Sequence, residues 1–216
     1  MQIAIALFPR FTALDAVGPY DVLNQLPGGE VVFVAEQAGP VRNESGNLTL
    51  TADAALADVP RPDIVLVPGG PGTEELTEGA PILDWLRAAD QASTWTTSVC
   101  TGSLVLARAG LLTGRRATTH WTAEIKLAEL GAEAVRERVV FDGKYVTAAG
   151  VSSGIDMALT LAGKIAGDEV AQTIQLGIEY DPQPPYDAGS PAKAPAAVTS
   201  RIRARSRFPQ VTNSAP

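Results

Sequence analysis

The sequence predicts an α/β fold with a mostly parallel central sheet and helices on both faces. Two observations lead there. Segments of strand character alternate with segments of helical spacing, the pattern of βαβ units. Several strand segments, among them Ile3 to Leu7 and Ile64 to Val67, are apolar at successive positions, as strands buried on both sides must be. The length, 216 residues, fits one domain. Such a domain can bury roughly 70% of its unfolded surface, so metals and disulfides are not needed for stability.

In chain order, Ile3 to Leu7 is a buried strand stopped at Phe8-Pro9. Leu14 to Leu26 has helical spacing, interrupted by Gly18-Pro19. Val31 to Ala35 is a second strand, and Val41 to Thr51, turning at Ser45-Gly46-Asn47, is a hairpin. Ile64 to Val67 closes abruptly on Pro68-Gly69-Gly70-Pro71-Gly72. Helix Pro81 to Ala92, strand Thr94 to Val99 and helix Ser103 to Leu112 follow. Arg116 to Thr119 is a strand and Thr122 to Leu130 a helix. Val139 to Asp142 and Tyr145 to Ala149 are strands on either side of Gly143. Ser152 to Ala166 and Asp168 to Tyr180 are helices, with Ser152 and Asp168 as their N-caps. Asp181 to Pro195, rich in Pro, Gly and Asp, is an extended surface segment. We expect one domain over residues 1–209 and a disordered tail at 210–216.

The bulk composition narrows the function classes. Net charge is −7, which argues against a nucleic-acid or anionic-membrane surface. No apolar stretch approaches the roughly 18 residues of a membrane helix. The first residues lack the basic n-region and cleavage site of a secretory signal. The one cysteine cannot form an internal disulfide, which suits a reducing, cytoplasmic compartment. One His and one Cys without ligand spacing make a metal site improbable.

Ligands of open parallel sheets bind beyond the carboxyl ends of the strands. Three segments converge on that edge: Asp15, Gly69-Gly70 and Cys100. Cys100 stands between a strand and a helix in Ser98-Val99-Cys100-Thr101-Gly102-Ser103, the layout of a nucleophile elbow. Gly102 lets the backbone turn closely, and a helix N-terminus beside sulfur favours thiolate. A lone cysteine is commonly a buried core residue; the strand-Cys-Thr-Gly-helix context raises the nucleophile above that reading. Gly69-Gly70 is either a turn or a backbone N–H donor for developing negative charge. Asp15, in an apolar stretch, is either a helix N-cap or a carboxylate aimed at the strand edge, and spacing alone favours the cap. His120 is either a hydrogen-bonded, partly buried residue or a group near the pocket.

Five segments carry a family resemblance: LFPRFTALDAVGPYDVL from Leu7, VPGGPGT from Val67, TSVCTGSLVLARAGLLTGRRATTHW from Thr97, SSGIDMALTLA from Ser152 and QLGIEYDPQPPYDAGSP from Gln175. In them the chain resembles the isocyanide (isonitrile) hydratases. These belong to the flavodoxin-like, class I glutamine amidotransferase-like superfamily of the PfpI-type proteases, a parkinsonism-associated protein and the amidotransferase-like domains of some AraC-type regulators. The resemblance implies a flavodoxin-like three-layer sandwich, a homodimer and no cofactor. It places the nucleophile on Cys100 and the acidic partner on Asp15, where the wider superfamily usually has Glu. The residue after the cysteine is His in the proteases and Thr101 here, as in the hydratases. Backbone N–H groups of Gly70 and Thr101 match the oxyanion site, and His120 is assigned to the pocket wall. The regulators carry a helix-turn-helix domain after this fold, whereas a short Arg-containing tail, Arg201 to Arg207, follows here.

The reaction so implied is hydration of an isocyanide to an N-substituted formamide through a Cys100 thioimidate. Asp15 would move the protons and the Thr101 hydroxyl would orient Asp15 or water. A glyoxalase or deglycase acting on 2-oxoaldehydes is the alternative enzyme, and a cysteine-based redox sensor is the non-enzymatic one.

Overall fold

The computed structural model describes residues 1–208. The tail expected at 210–216, and residue 209 before it, lie outside the described residues. From the N-terminus run β1 (Gln2–Ala6), α1 (Ala13–Leu23), β2 (Glu30–Ala35), β3 (Gly39–Arg42), β4 (Thr49–Ala52), β5 (Ala54–Ala55), β6 (Ile64–Val67) and α2 (Pro81–Asp90). Then come β7 (Trp95–Val99), α3 (Gly102–Arg108), β8 (Arg116–Ala117), α4 (Glu124–Glu129), β9 (Glu133–Ala134), β10 (Val139–Asp142), β11 (Tyr145–Ala148), α5 (Ser153–Ala166), α6 (Asp168–Gly177) and α7 (Ala196–Arg203).

The main sheet has seven strands in the order β10-β11-β7-β6-β1-β2-β5. Every neighbouring pair is parallel except the edge pair β10 and β11. The continuous apolar runs occupy its centre: Ile3 to Ala6 and Ile64 to Val67 have no exposed surface. On one face α1 packs on α5 and α5 on α6; on the other α3 lies on β6 and β7, with α2 and α4 beside it. Both faces are thus covered, as a parallel sheet requires. Gly18 and Gly154 make the α1–α5 approach possible. A Cβ on Gly18 would stand 3.0 Å from Ile155, and one on Gly154 3.0 Å from both Pro19 and Val99.

Some local expectations change. The hairpin forms as β3 and β4, with Val41 opposite Leu50. Its turn is held by Asn43 Oδ1, which accepts from the N–H groups of Gly46 and Leu48. The strand expected at Arg116 to Thr119 shrinks to β8, which pairs with β9 outside the main sheet. Asp168 is the first residue of α6 and not its cap; that position is Gly167, whose φ of 89° suits glycine. Ser152 precedes α5 as expected, though its side chain makes no capping bond. After the extended segment to Pro195 the chain forms α7, which the composition had not signalled.

Candidate active site

The carboxyl ends of β1, β6 and β7 bring together the three segments that the sequence placed there. Cys100 sits between β7 and α3 with φ at 57°, a left-handed conformation costly for a residue with a side chain. The surroundings hold it. Its N–H donates to the carbonyls of Ala148 and Ala149, both at 3.0 Å. Its carbonyl accepts from Thr119 Oγ1 at 3.0 Å and Ser103 Oγ at 3.2 Å. The turn also requires glycine at 102, where a Cβ would lie 2.1 Å from the Val67 carbonyl oxygen. The strained turn and the glycine beside it are those of a nucleophile elbow.

Asp15 lies in the first turn of α1 and has no exposed surface. The cap position of that helix is Thr12, so Asp15 does not cap it. Instead Oδ2 accepts the Gly69 N–H at 2.9 Å, from a segment 54 residues away. The Cys100 side chain acts on the same carboxyl and lowers its pKa. Oδ1 meets no N–H or O–H among the described residues. Gly69 lets these groups meet, since a Cβ there would stand 2.5 Å from the Thr101 nitrogen and 2.9 Å from Asp15 Oδ2.

Burial disfavours the charged form and pushes the Asp15 carboxyl up to about 7, against the pull of the Gly69 hydrogen bond and the Cys100 side chain. The Glu44 carboxylate pushes in the same direction as burial. Burial also raises the Cys100 thiol, as does the negative charge of Asp15; the N–H groups of Thr101 and Val151 oppose this. Near neutral pH sulfur therefore keeps its proton, while the carboxyl lies close to its midpoint.

Thr101 Oγ1 accepts the Gly70 N–H at 2.9 Å. Both groups are thus engaged with each other: the hydroxyl bonds Gly70 and not Asp15, and the Gly70 N–H is not a free donor. The Thr101 N–H lies at the sulfur. His120 precedes the short turn Trp121–Ala123. Its Nδ1 accepts the Thr122 N–H at 3.3 Å and lies 2.7 Å from Thr122 Oγ1, which puts the neutral ring's proton on Nε2. Burial, helped by the charge of Arg207, lowers its pKa and keeps the ring neutral at physiological pH.

These residues line a pocket of about 300 Å³ that includes Gly70, Cys100, Thr101 and His120. Val151 lines it too, with φ at 24°, an outlier for a β-branched residue. The rest of the wall includes Ile202, Arg205, Arg207 and Phe208, which follow or end α7. Sequence reasoning missed Val151, Thr119 and this C-terminal wall. No local pattern marks Val151; Thr119 stands in the quoted motif beside His120, which alone drew notice. Among the described residues no group of three His, Cys, Asp or Glu could hold a metal. None of their helices is long and apolar enough to cross a membrane.

The chain is 47% identical to the isonitrile hydratase of Pseudomonas putida over 95% of its own length and 90% of that protein. It is 33% identical to the transcriptional regulator CdhR of Pseudomonas aeruginosa over 76% of its length, and spans about half of that regulator (51%). Among solved structures, a ThiJ/PfpI family protein from Pseudomonas syringae superposes with a TM-score of 0.91 at 35% identity, covering 94% of this chain and 85% of that one. The DJ-1/PfpI family model matches residues 1–164, the region holding Asp15, the Gly69-Gly70 turn and the Cys100 elbow. On that match and the 47% identity, the chain belongs to the DJ-1/PfpI family.

Proposed function

We propose that this chain hydrates an isocyanide to the N-substituted formamide, with Cys100 as nucleophile and Asp15 as acid–base group. The observation that carries the reading is the Cys100–Asp15 pair. A strained cysteine acts electrostatically with a buried carboxyl titrating at about 7, in a chain 47% identical to an isonitrile hydratase. A general acid–base group is most useful when its pKa lies near the working pH.

The terminal carbon of an isocyanide accepts a nucleophile and must gain a proton as it does so. Cys100 Sγ adds to that carbon while the proton of the pair moves to it, by way of Asp15. The product is a thioimidate, R–N=CH–S–Cys100, with Asp15 left as carboxylate. Water then adds at the same carbon: Asp15 takes a proton from it and delivers one to nitrogen. The resulting R–NH–CH(OH)–S–Cys100 collapses as its hydroxyl proton passes to Asp15, the C=O bond forms and the C–S bond breaks. Sulfur takes the proton back and the formamide leaves. The sum is one isocyanide plus one water to one formamide, with no oxidant or reductant.

The Thr101 and Val151 N–H groups stabilise charge on sulfur as it adds and leaves. Thr101 Oγ1, bound to Gly70, ties the glycine turn to the elbow; positioning fits it better than contact with Asp15. A neutral His120 with its proton on Nε2 suits a pocket wall that donates one hydrogen bond.

The test is turnover of a simple aryl isocyanide by the purified protein, run beside methylglyoxal. Formamide production and rapid-quench mass spectrometry showing protein plus one isocyanide at Cys100 are expected. Turnover of methylglyoxal alone would replace the reading with a glyoxalase. Turnover of neither, with Cys100 readily oxidised, would leave a sensor.

A further inference from the structure

The reading above leaves the mouth of the pocket unexplained. α7 ends at Arg203 and the chain turns back through Arg205 N–H to Ile202 and Ser206 N–H to Arg203. Phe208 is buried in the core and anchors the segment, while Arg205 and Arg207 remain exposed and line the pocket. Arg205 has no ion-pair partner among the described residues, unlike Arg207, whose Nε lies 4.0 Å from Glu74 Oε2. One carboxylate, Glu44, lines the same pocket, and it accepts the Thr12 hydroxyl at 2.9 Å.

The charges are sorted. Glu44 acts electrostatically on Asp15, and Arg207 on His120. At His120 the positive charge of Arg207 acts more strongly than the negative charge of Glu124, while Glu44 lines the pocket on the Asp15 side. Arg207 shares its charge with Glu74, so among the described residues Arg205 is the arginine of this rim without an ion-pair partner, on a chain whose net charge is −7. Val151, Ile202 and Phe208 give the same pocket an apolar wall. Such a pocket fits a molecule with a reactive carbon at one end, an apolar body and an anionic group at the other.

We propose that the pocket prefers isocyanides carrying a carboxylate, which Arg205 and Arg207 receive at the mouth. The proposal rests on the hydratase reading and supplies its substrate class. Guanidinium suits the part because its planar fork matches a carboxylate in two hydrogen bonds. The pair is solvent-exposed, so the preference is modest and screened by salt.

The experiment compares 4-isocyanobenzoate with its methyl ester, which share ring and reacting carbon. At low ionic strength kcat/KM should favour the carboxylate by about fivefold, mainly through KM, with the ratio falling as salt is added. In the R205Q/R207Q double variant the ratio should fall to one or below. This internal comparison removes the intrinsic reactivity difference between the two substrates. An ester handled as well as the carboxylate, or a ratio unchanged in the double variant, would overturn the proposal. If neither isocyanide is turned over, the hydratase reading has failed and the rim is tested separately, by protection of Cys100 from iodoacetamide. 4-Formamidobenzoate should protect better than its methyl ester and better than free acetate, and lose that advantage in the double variant. Equal protection by acid and ester would refute the rim, and equal protection by acetate would reduce it to a general anion site.

Discussion

Replacing Asp15 by Asn tests the site through stability and turnover at once. The wild-type carboxyl is wholly buried and titrates at about 7 in the fold against 3.8 as a free side chain. A carboxyl pKa raised by folding means that the folded chain holds a proton the unfolded chain has lost. Its contribution is therefore fully present below about pH 4 and is lost as pH rises to about 7. Between pH 5 and 7 the loss runs at about 1.4 kcal/mol per pH unit, or roughly 2–3 kcal/mol across the window. Asn has the same shape, can still accept the Gly69 N–H and does not ionise. D15N should therefore gain stability relative to wild type as pH rises, by roughly 2–3 kcal/mol more at pH 8 than at pH 5. For a chain of this size that is about 5–10 °C in Tm. Thermal melts and urea titrations of both proteins at the two pH values measure it. In the same variant kcat should fall by roughly 10² or more if Asp15 is the acid–base group proposed above. A stability difference that does not change with pH would refute the raised pKa. A kcat within tenfold of wild type would refute the assigned role even if the titration is right.

Cys100→Ala should fold normally and lose essentially all turnover; Cys100→Gly should be equally inactive but more stable than the alanine variant by about 1 kcal/mol, since glycine relieves the φ of 57°. Gly102→Ala should cost about 3 kcal/mol or more in urea unfolding, because its Cβ would stand 2.1 Å from the Val67 carbonyl; wild-type stability would contradict the elbow geometry. His120→Gln should keep most of kcat, with any change in KM, and a loss as large as that of D15N would reverse the two roles. Prolonged chelation should leave the rate unchanged, and recovery of activity only on adding Zn²⁺ would contradict the metal-free mechanism.

The sequence by itself determined the parallel α/β sheet and the elbow, because both are written locally. Unbroken apolar runs such as Ile64–Val67 suit only strands buried on both faces. Strand, cysteine, threonine and glycine in succession can hardly form anything but a tight turn into a helix. Asp15 was different: topology put its segment at the sheet edge of Cys100, yet spacing alone favoured a helix cap, and only family resemblance made it the acidic partner. The fold decided the matter by carrying Gly69, 54 residues away, onto Oδ2 and by removing all water from the carboxyl. Its pKa of about 7 follows from that burial, and desolvation depends on what packs around a group from every direction. The same reason hid Val151 and the C-terminal wall. Val151 takes its φ of 24° in the turn between β11 and α5, and Arg205 lines the pocket just before the buried Phe208. Neighbours along the chain encode which elements form; the protonation state of the site and the charge at its mouth come from residues that meet only after folding.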